Sequence, residues 1–162
     1  MLSFKERNEI ALEFQKEVGL WFNSNGFCAR RVTDTRDNLA IHEGAVIGQP
    51  QPCDWTVFKY GLAVNIEVKV IFAEKPRLNM NRTIKSQLKL MAYEAVHGEV
   101  PGYFVVAHVP EHRLYAIPIG AVADRKYLTY FELADRFDIT SAGLEWFRPV
   151  FHHLRAKMKE NS

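Results

Sequence analysis

The chain has 162 residues, of which 48% are hydrophobic, 12% aromatic and 25% charged, with a formal net charge of +2. That composition suits one globular domain with a single core and excludes a disordered, collagenous or coiled-coil chain. No apolar run approaches the roughly 20 residues of a bilayer-spanning helix, and the start MLSFKERNEI is charged, so a cytoplasmic protein with no membrane partner is expected.

The spacing predicts a first helix from about Ser3 to Asn23, with Ser3 and Glu6 placed as a capping box and Gly26 just beyond its end. Ile10, Phe14, Val18, Trp21 and Phe22 form its apolar face; Glu13 and Glu17 border that face. Phe27 to Val32 reads as a short strand. Residues 33–52 lack periodicity and hold Gly44, Gly48, Pro50 and Pro52, so they read as a long loop or arm. Strands are predicted over Cys53 to Phe58 and Leu62 to Phe72, joined by Lys59-Tyr60-Gly61. A second helix runs from Thr83, as its cap, to His97 and stops at Gly98. Tyr103 to Val109 and Arg113 to Ile117 read as two further strands. The remainder is predicted mostly helical, with Pro149 in the first turn of a final helix. The order αβββαββ followed by helices gives a mixed α/β fold, a central sheet flanked by helices.

Two cysteines, Cys28 and Cys53, without a CxxC pair, point to neither a disulfide scaffold nor a cysteine zinc site. Both read as half-buried thiols. His152 and His153 are adjacent, point about 100° apart on a helix and read as surface residues. Trp21, Trp55 and Trp146 fall at apolar positions and read as core.

The hairpin carries the chemistry. If Tyr60 and Gly61 are its two loop residues, cross-strand partners sum to 121, and opposite residues share a face. One face collects Trp55, Val57, Leu62, Val64, Ile66, Val68 and Val70, an apolar set expected in the core. The other collects Asp54, Thr56, Phe58, Ala63, Asn65, Glu67 and Lys69. A slip of one residue would mix valines with carboxylates, so the register is self-consistent, although a tyrosine suits a tight primed turn poorly and a bulge would shift the pairing. The Cβ atoms of Asp54 and Glu67 then stand about 5 Å apart. Facing carboxylates repel unless a cation lies between them, and oxygen ligands favour magnesium or manganese. Lys69, two residues on, reaches the same space and can hold or deprotonate water. Such a group suits phosphodiester hydrolysis. The plain alternative is a solvated strand face carrying an ion pair.

Pro52-Cys53-Asp54, a hairpin and then Glu67-Val68-Lys69 resemble the PD-(D/E)xK nuclease signature. The likeness continues in a glutamate-bearing first helix, in Gly26-Phe27 before Arg30 and Arg31, in Ser86-Gln87-Leu88, and in residues 98–106. This arrangement is similar to Holliday-junction resolvases of the archaeal and RecU types, over about residues 5–118, with residues 119–162 as a C-terminal helical extension of a single nuclease domain. The resemblance implies a restriction-endonuclease-like αβββαβ core, a Mg2+ cofactor for which Mn2+ can substitute, and cleavage to a 5′-phosphate and a 3′-hydroxyl. It implies Asp54, Glu67 and a helix-one glutamate as metal ligands, the last mapping onto Glu13 with Glu17 as its rival. Lys69 and Gln87 complete the catalytic set it implies.

From Lys69 to Lys89 six cations stand against the single Glu74. Following the ExK strand, they lie where a phosphate backbone would run, so Lys75, Arg77, Arg82 and Lys85, with Arg30 and Arg31, are expected to bind DNA. The partners expected are a branched DNA, a four-way junction, and a second copy of the chain in a homodimer. Another restriction or repair nuclease of the superfamily, or a DNA-binding module that keeps the fold without catalysis, are the alternatives; magnesium-dependent cleavage separates the last from the others.

Overall fold

The computed structural model describes residues 2–32, 53–123, 125 and 128–160; the predicted arm over 33–52 lies outside them. The chain opens with α1 (Phe4–Ser24), whose first turn is closed by the expected capping box: Glu6 N donates to Ser3 Oγ at 3.2 Å and Ser3 N to Glu6 Oε2 at 2.7 Å. Then follow β1 (Cys28–Arg31), β2 (Trp55–Lys59), β3 (Leu62–Ile71), β4 (Arg77–Asn79), α2 (Arg82–His97), β5 (Gly102–His108), β6 (Arg113–Pro118), α3 (Ile119–Ala123), β7 (Tyr130–Glu132) and α4 (Thr140–Glu160). The main sheet has the order β1-β2-β3-β5-β6, antiparallel except where β3 and β5 run parallel. A parallel pair needs a crossover, and the segment carrying α2 supplies it. The fold is mixed α/β with the restriction-endonuclease-like core arrangement that was expected. Among the described residues no helix is long and apolar enough to cross a membrane.

The hairpin register is the one that the partner sum predicts: Trp55 pairs with Ile66, Val57 with Val64 and Lys59 with Leu62. From Trp55 to Lys59 the pairing is unbroken, but Asp54 lies just beyond it, and its backbone N donates to Ile66 O at 3.0 Å, so Asp54 does not continue the ladder to Glu67. Tyr60 and Gly61 both have positive φ, 51° and 78°, the signature of a primed two-residue turn, so Tyr60 accepts a left-handed backbone that glycine or asparagine would adopt more easily. Val57, Ile66 and Val68 on one face are buried against Ile10, Phe14 and Val18 of α1 and Phe147, Phe151 and Leu154 of α4. Leu62 departs from its expected core position and is 72% exposed, because it sits beside the turn, at the hairpin's tip. The opposite face of the sheet lies against α2 and α3, with Ile71, Leu88, Met91, Phe104, Val106 and Val122 in one cluster.

Several boundaries move. The cap of α2 is Asn81, whose Oδ1 accepts from Ile84 N at 3.0 Å, and Thr83 lies inside the first turn. The C-terminal region is less helical than expected, since β7 pairs with β4 in a second, two-stranded sheet. Three-residue strands give too little alternation to be read from sequence. Pro149 lies in the middle of α4 rather than its first turn. It is exposed there, where water can satisfy the carbonyl that loses its helical donor. Trp146 is exposed rather than core. Cys28 is exposed and Cys53 buried, so neither thiol is half-buried. His152 and His153 are exposed, as the sequence indicates.

Gly19 sits where α1 lies close against the sheet. A Cβ there would lie 2.4 to 2.8 Å from three atoms of the Trp55 indole, and the indole is pinned by Nε1 donating to Gln15 O at 2.9 Å. Gly19→Ala should therefore destabilise the protein by about 1–3 kcal/mol through overpacking, despite alanine's better helix propensity. Urea unfolding followed by tryptophan fluorescence would measure it, and an unchanged midpoint would mean that the indole moves aside freely.

Candidate active site

The α2-facing side of the hairpin gathers polar groups at positions where its neighbours are apolar. Asp54 is 8% exposed, Asn65 2% and Glu67 2%, alongside the buried Phe104 and Val106 of β5. A charge in such surroundings loses its hydration and must find partners. Asp54 Oδ2 accepts from the backbone N of Val68 at 2.7 Å. Glu67 Oε1 accepts from Lys69 Nζ at 2.7 Å and from Gln87 Nε2 at 2.8 Å, while Gln87 Oε1 accepts from Lys69 Nζ at 2.8 Å. The three side chains close a hydrogen-bonded ring across β3 and α2. Glu67 Oε2 is buried and has no hydrogen-bond donor among the described residues.

Burial raises the pKa of both carboxyls. Glu67 is pushed up to about 7, first by desolvation and further by the charge of Asp54, with Lys69 and Gln87 opposing the rise. Asp54 is also raised, by desolvation, against the hydrogen bond from Val68 and the charge of Lys69. Near neutral pH the pair therefore tends to keep a proton, the state expected of two carboxyls sharing one buried site. The same burial pushes the thiol of neighbouring Cys53 up to about 12.

A divalent cation fits this donor set. Glu67 Oε2 and the adjacent Asp54 carboxylate supply hard oxygen ligands, and a cation would offset their repulsion. Among the described residues no three His, Cys, Asp or Glu side chains gather as a metal site. The fit thus rests on two carboxylates, a number that suits magnesium completed by water and substrate phosphate.

Asp54, Glu67, Lys69 and Gln87 come together; Glu13 does not join them. Alternation puts Glu67 on the α2 side of the sheet, whereas α1 packs on the other side, and Glu13 turns toward α4, 4.0 Å from His153 Nε2. Its rival Glu17 is on the same helix and half-buried. Arg30 pairs with Thr56 and so shares the face of Asp54, while Arg31 pairs with Trp55 and faces the other way. Both border a cleft of about 230 Å³ with Val32, Thr56 and Phe58. Lys75, Arg82 and Lys85 are exposed, and the Arg77 guanidinium lies 4.0 Å from the Tyr130 ring centroid.

The sequence reading missed Glu94. Asn65 Nδ2 donates to Glu94 Oε2, and Thr56 Oγ1 donates to Asn65 Oδ1 at 2.9 Å, so a second polar chain ties the hairpin to α2. Its signal was present: Glu94 follows Gln87 by two helical turns, on the same face.

No protein-family profile and no curated protein sequence matches the chain. Among solved structures it is similar to Hjc of Archaeoglobus fulgidus, a Holliday junction resolvase from an archaeal hyperthermophile. The TM-score is 0.52 at 15% identity, covering 82% of this chain and 93% of that one. A bacterial homing endonuclease, I-Ssp6803I, overlays with a TM-score of 0.45 at 14% identity over all of both chains. The likeness to the resolvase is one of fold.

The raised pKa of Glu67 has a sign. A carboxyl whose folded pKa exceeds its unfolded value contributes stability at low pH that is lost as pH rises toward about 7. Glu67→Gln should therefore stabilise the metal-free protein at pH 8 by about 1–3 kcal/mol, a gain that shrinks below about pH 5. Thermal melts at the two pH values test this; an equal shift at both would trace it to packing instead.

Proposed function

We propose that the protein is a metal-dependent, structure-selective endodeoxyribonuclease that resolves Holliday junctions in DNA recombination or repair, the whole chain acting as one nuclease domain. The observation that carries this reading is the buried Asp54 and Glu67 pair on one hairpin face, with Glu67 Oε2 lacking a donor and Lys69 adjacent. A structural role alone gives no reason to bury two interacting carboxylates side by side, because each loses its hydration and their charges repel. The fold likeness to a junction resolvase supports the choice of substrate.

In this reading Asp54 and Glu67 hold magnesium, or manganese in its place, and the chemistry such a cation supplies when bound is Lewis-acid polarisation of the phosphate and activation of water. Lys69 orients the attacking water or neutralises charge growing on a phosphate oxygen. Gln87 fixes Lys69 and Glu67 relative to each other through its two hydrogen bonds. The water oxygen bonds to phosphorus, the bond from phosphorus to the 3′ oxygen breaks, and that oxygen takes up a proton. The products are a 5′-phosphate and a 3′-hydroxyl. Arg30, Arg31, Lys75, Arg77, Arg82 and Lys85 carry the phosphate backbone to the site.

Resolving a four-way junction requires two symmetric cuts, and one site per chain makes one. A two-fold homodimer supplies the second, and such symmetry is the commonest in soluble assemblies. Paired magnesium-dependent nicks near the branch point are therefore expected from a dimer. Asp54→Asn should lower cleavage of a labelled four-way junction by at least about 100-fold while leaving junction affinity near that of the wild type, since a neutral amide weakens the cation site without adding bulk. Lys69→Ala should lose activity with a smaller loss of metal affinity. Near-normal cleavage by Asp54→Asn would refute the site, and a stable monomer cutting linear duplex as well as junctions would refute the resolvase assignment alone.

The basic residues make a separate claim. Replacing Arg82 and Lys85 by alanine should weaken DNA binding and flatten the slope of log K against log salt by about one to two, as each lost phosphate contact releases fewer counterions. Fluorescence anisotropy over a salt series measures the slope; an unchanged one would make both residues ordinary solvated surface.

A further inference from the structure

The small β4–β7 sheet lies outside the chemistry described so far. Leu78 and Phe131 pair across it and are buried in the same cluster as Ile71 and Leu88, so this sheet packs on the α2 side of the main sheet, the side that carries Asp54, Glu67 and Lys69. In the chain β4 falls between β3 and α2, both of which contribute to the site.

The sheet and the short turn at Asp135–Phe137 that follows it carry a distinctive chemistry. The Arg77 guanidinium lies 4.0 Å from the centroid of Tyr130, which is 40% exposed, and the Arg136 guanidinium lies 4.6 Å from the centroid of Phe137. Phe137 is in turn anchored on the buried Phe131, ring centroids 6.2 Å apart. Tyr130, Phe137, Arg125, Leu128, Glu132 and Arg136 border one cleft of about 220 Å³. Among the described residues, Asp135 beside the cleft is bonded to Arg113 Nη2 at 2.8 Å, and of the named lining residues Glu132 is the acidic one opposing Arg125 and Arg136. Aromatic rings beside guanidinium groups match a ligand that combines a flat aromatic ring with phosphate. Paired bases in a duplex hide their faces by stacking; an unpaired base offers one.

We propose that this cleft binds an unpaired nucleotide of the DNA substrate, its base stacked on Tyr130 and Phe137 and its phosphate held by Arg125 and Arg136. The proposal rests on the nuclease reading for the identity of the polymer and extends it, because it makes unpaired bases, rather than backbone charge alone, a feature the protein recognises. The cleft then acts as the selective element for strands that leave a duplex near the cut.

The test uses binding without cleavage. In EDTA, the full-length protein is titrated into a single-stranded oligonucleotide carrying one 2-aminopurine and, separately, into a fully paired duplex of the same sequence. Emission should fall on binding the single strand, as the base stacks. Tyr130→Leu, which keeps bulk but removes the ring, should lower the preference for single strand over duplex about tenfold, and Tyr130→Phe should retain it. Arg136→Gln should lower affinity for the single strand and weaken its salt dependence. If wild-type binding leaves the 2-aminopurine emission unchanged, or Tyr130→Leu weakens both DNAs equally, the cleft meets only backbone charge and the proposal is overturned. Magnesium-dependent cleavage by wild type alongside either result leaves the nuclease reading standing. Ring-dependent stacking in a protein that cuts no DNA would sink the nuclease reading and keep the cleft.

Discussion

Burying Asp54 and Glu67 next to each other is the constraint around which the rest is arranged. Desolvation and mutual repulsion both work against that pair, and the surrounding groups offset only part of it: a backbone N from Val68 on one carboxylate, Lys69 and Gln87 on one oxygen of the other. The second oxygen of Glu67 keeps no donor among the described residues. A fold optimised for stability alone would put a valine or leucine at such a position, as it does at Val68 one residue away. Retaining the cost is what local strain at a functional site looks like in electrostatic form.

The pair can hold this position because β3 is fixed on both faces and both edges. Its even-numbered residues Ile66 and Val68 are pressed by α1 and α4, where Phe14 stacks on Phe147 at 5.2 Å and meets Phe151 at 5.9 Å. On the other face, two polar ties reach α2: Gln87 to Glu67 and Lys69, and Glu94 to Asn65. Sheet bonds to β2 and β5 fix the strand's edges. A helix held by side-chain hydrogen bonds at two points seven residues apart cannot rotate without breaking one of them. The position of Gln87 is therefore set in part by Glu94, a residue two turns away.

What was legible in the sequence is what alternation encodes. The hairpin register and the separation of valines from carboxylates follow from a period of two and a two-residue turn, and the structure has that register from Trp55 to Lys59; Asp54 leaves the ladder yet its carboxylate still lies beside Glu67. Gln87 was placed by the face of its helix. Glu13 was not, because a helix face says which residues border the core and not which side of a sheet that core occupies. The β4–β7 pair escaped for a different reason: three residues give one alternation, and the partner strand lies some fifty positions later in the chain. Leu62 shows the converse limit, an apolar residue whose pattern is right but whose neighbours run out at the hairpin's tip, while Trp146, inside α4, lies off the helix face that Phe147, Phe151 and Leu154 bury.

These two kinds of legibility divide the molecule in a way that bears on function. The periodic part, hairpin plus flanking helices, carries the proposed chemistry, which requires fixed distances between a few charged atoms, and fixed distances come from long, mutually bonded elements. The irregular part, β4 and β7 with the turn after them, carries the exposed Tyr130 ring, the half-buried Phe137 and nearby guanidinium groups, braced by a buried Leu78 and Phe131. Stacking and charge neutralisation tolerate small displacements that metal-site chemistry does not. In the proposed reading the attachment of the small sheet to the site is direct: β4 leaves the strand that bears Lys69 and returns the chain to the helix that bears Gln87. DNA held on the small sheet would be positioned relative to the site by the elements that build it.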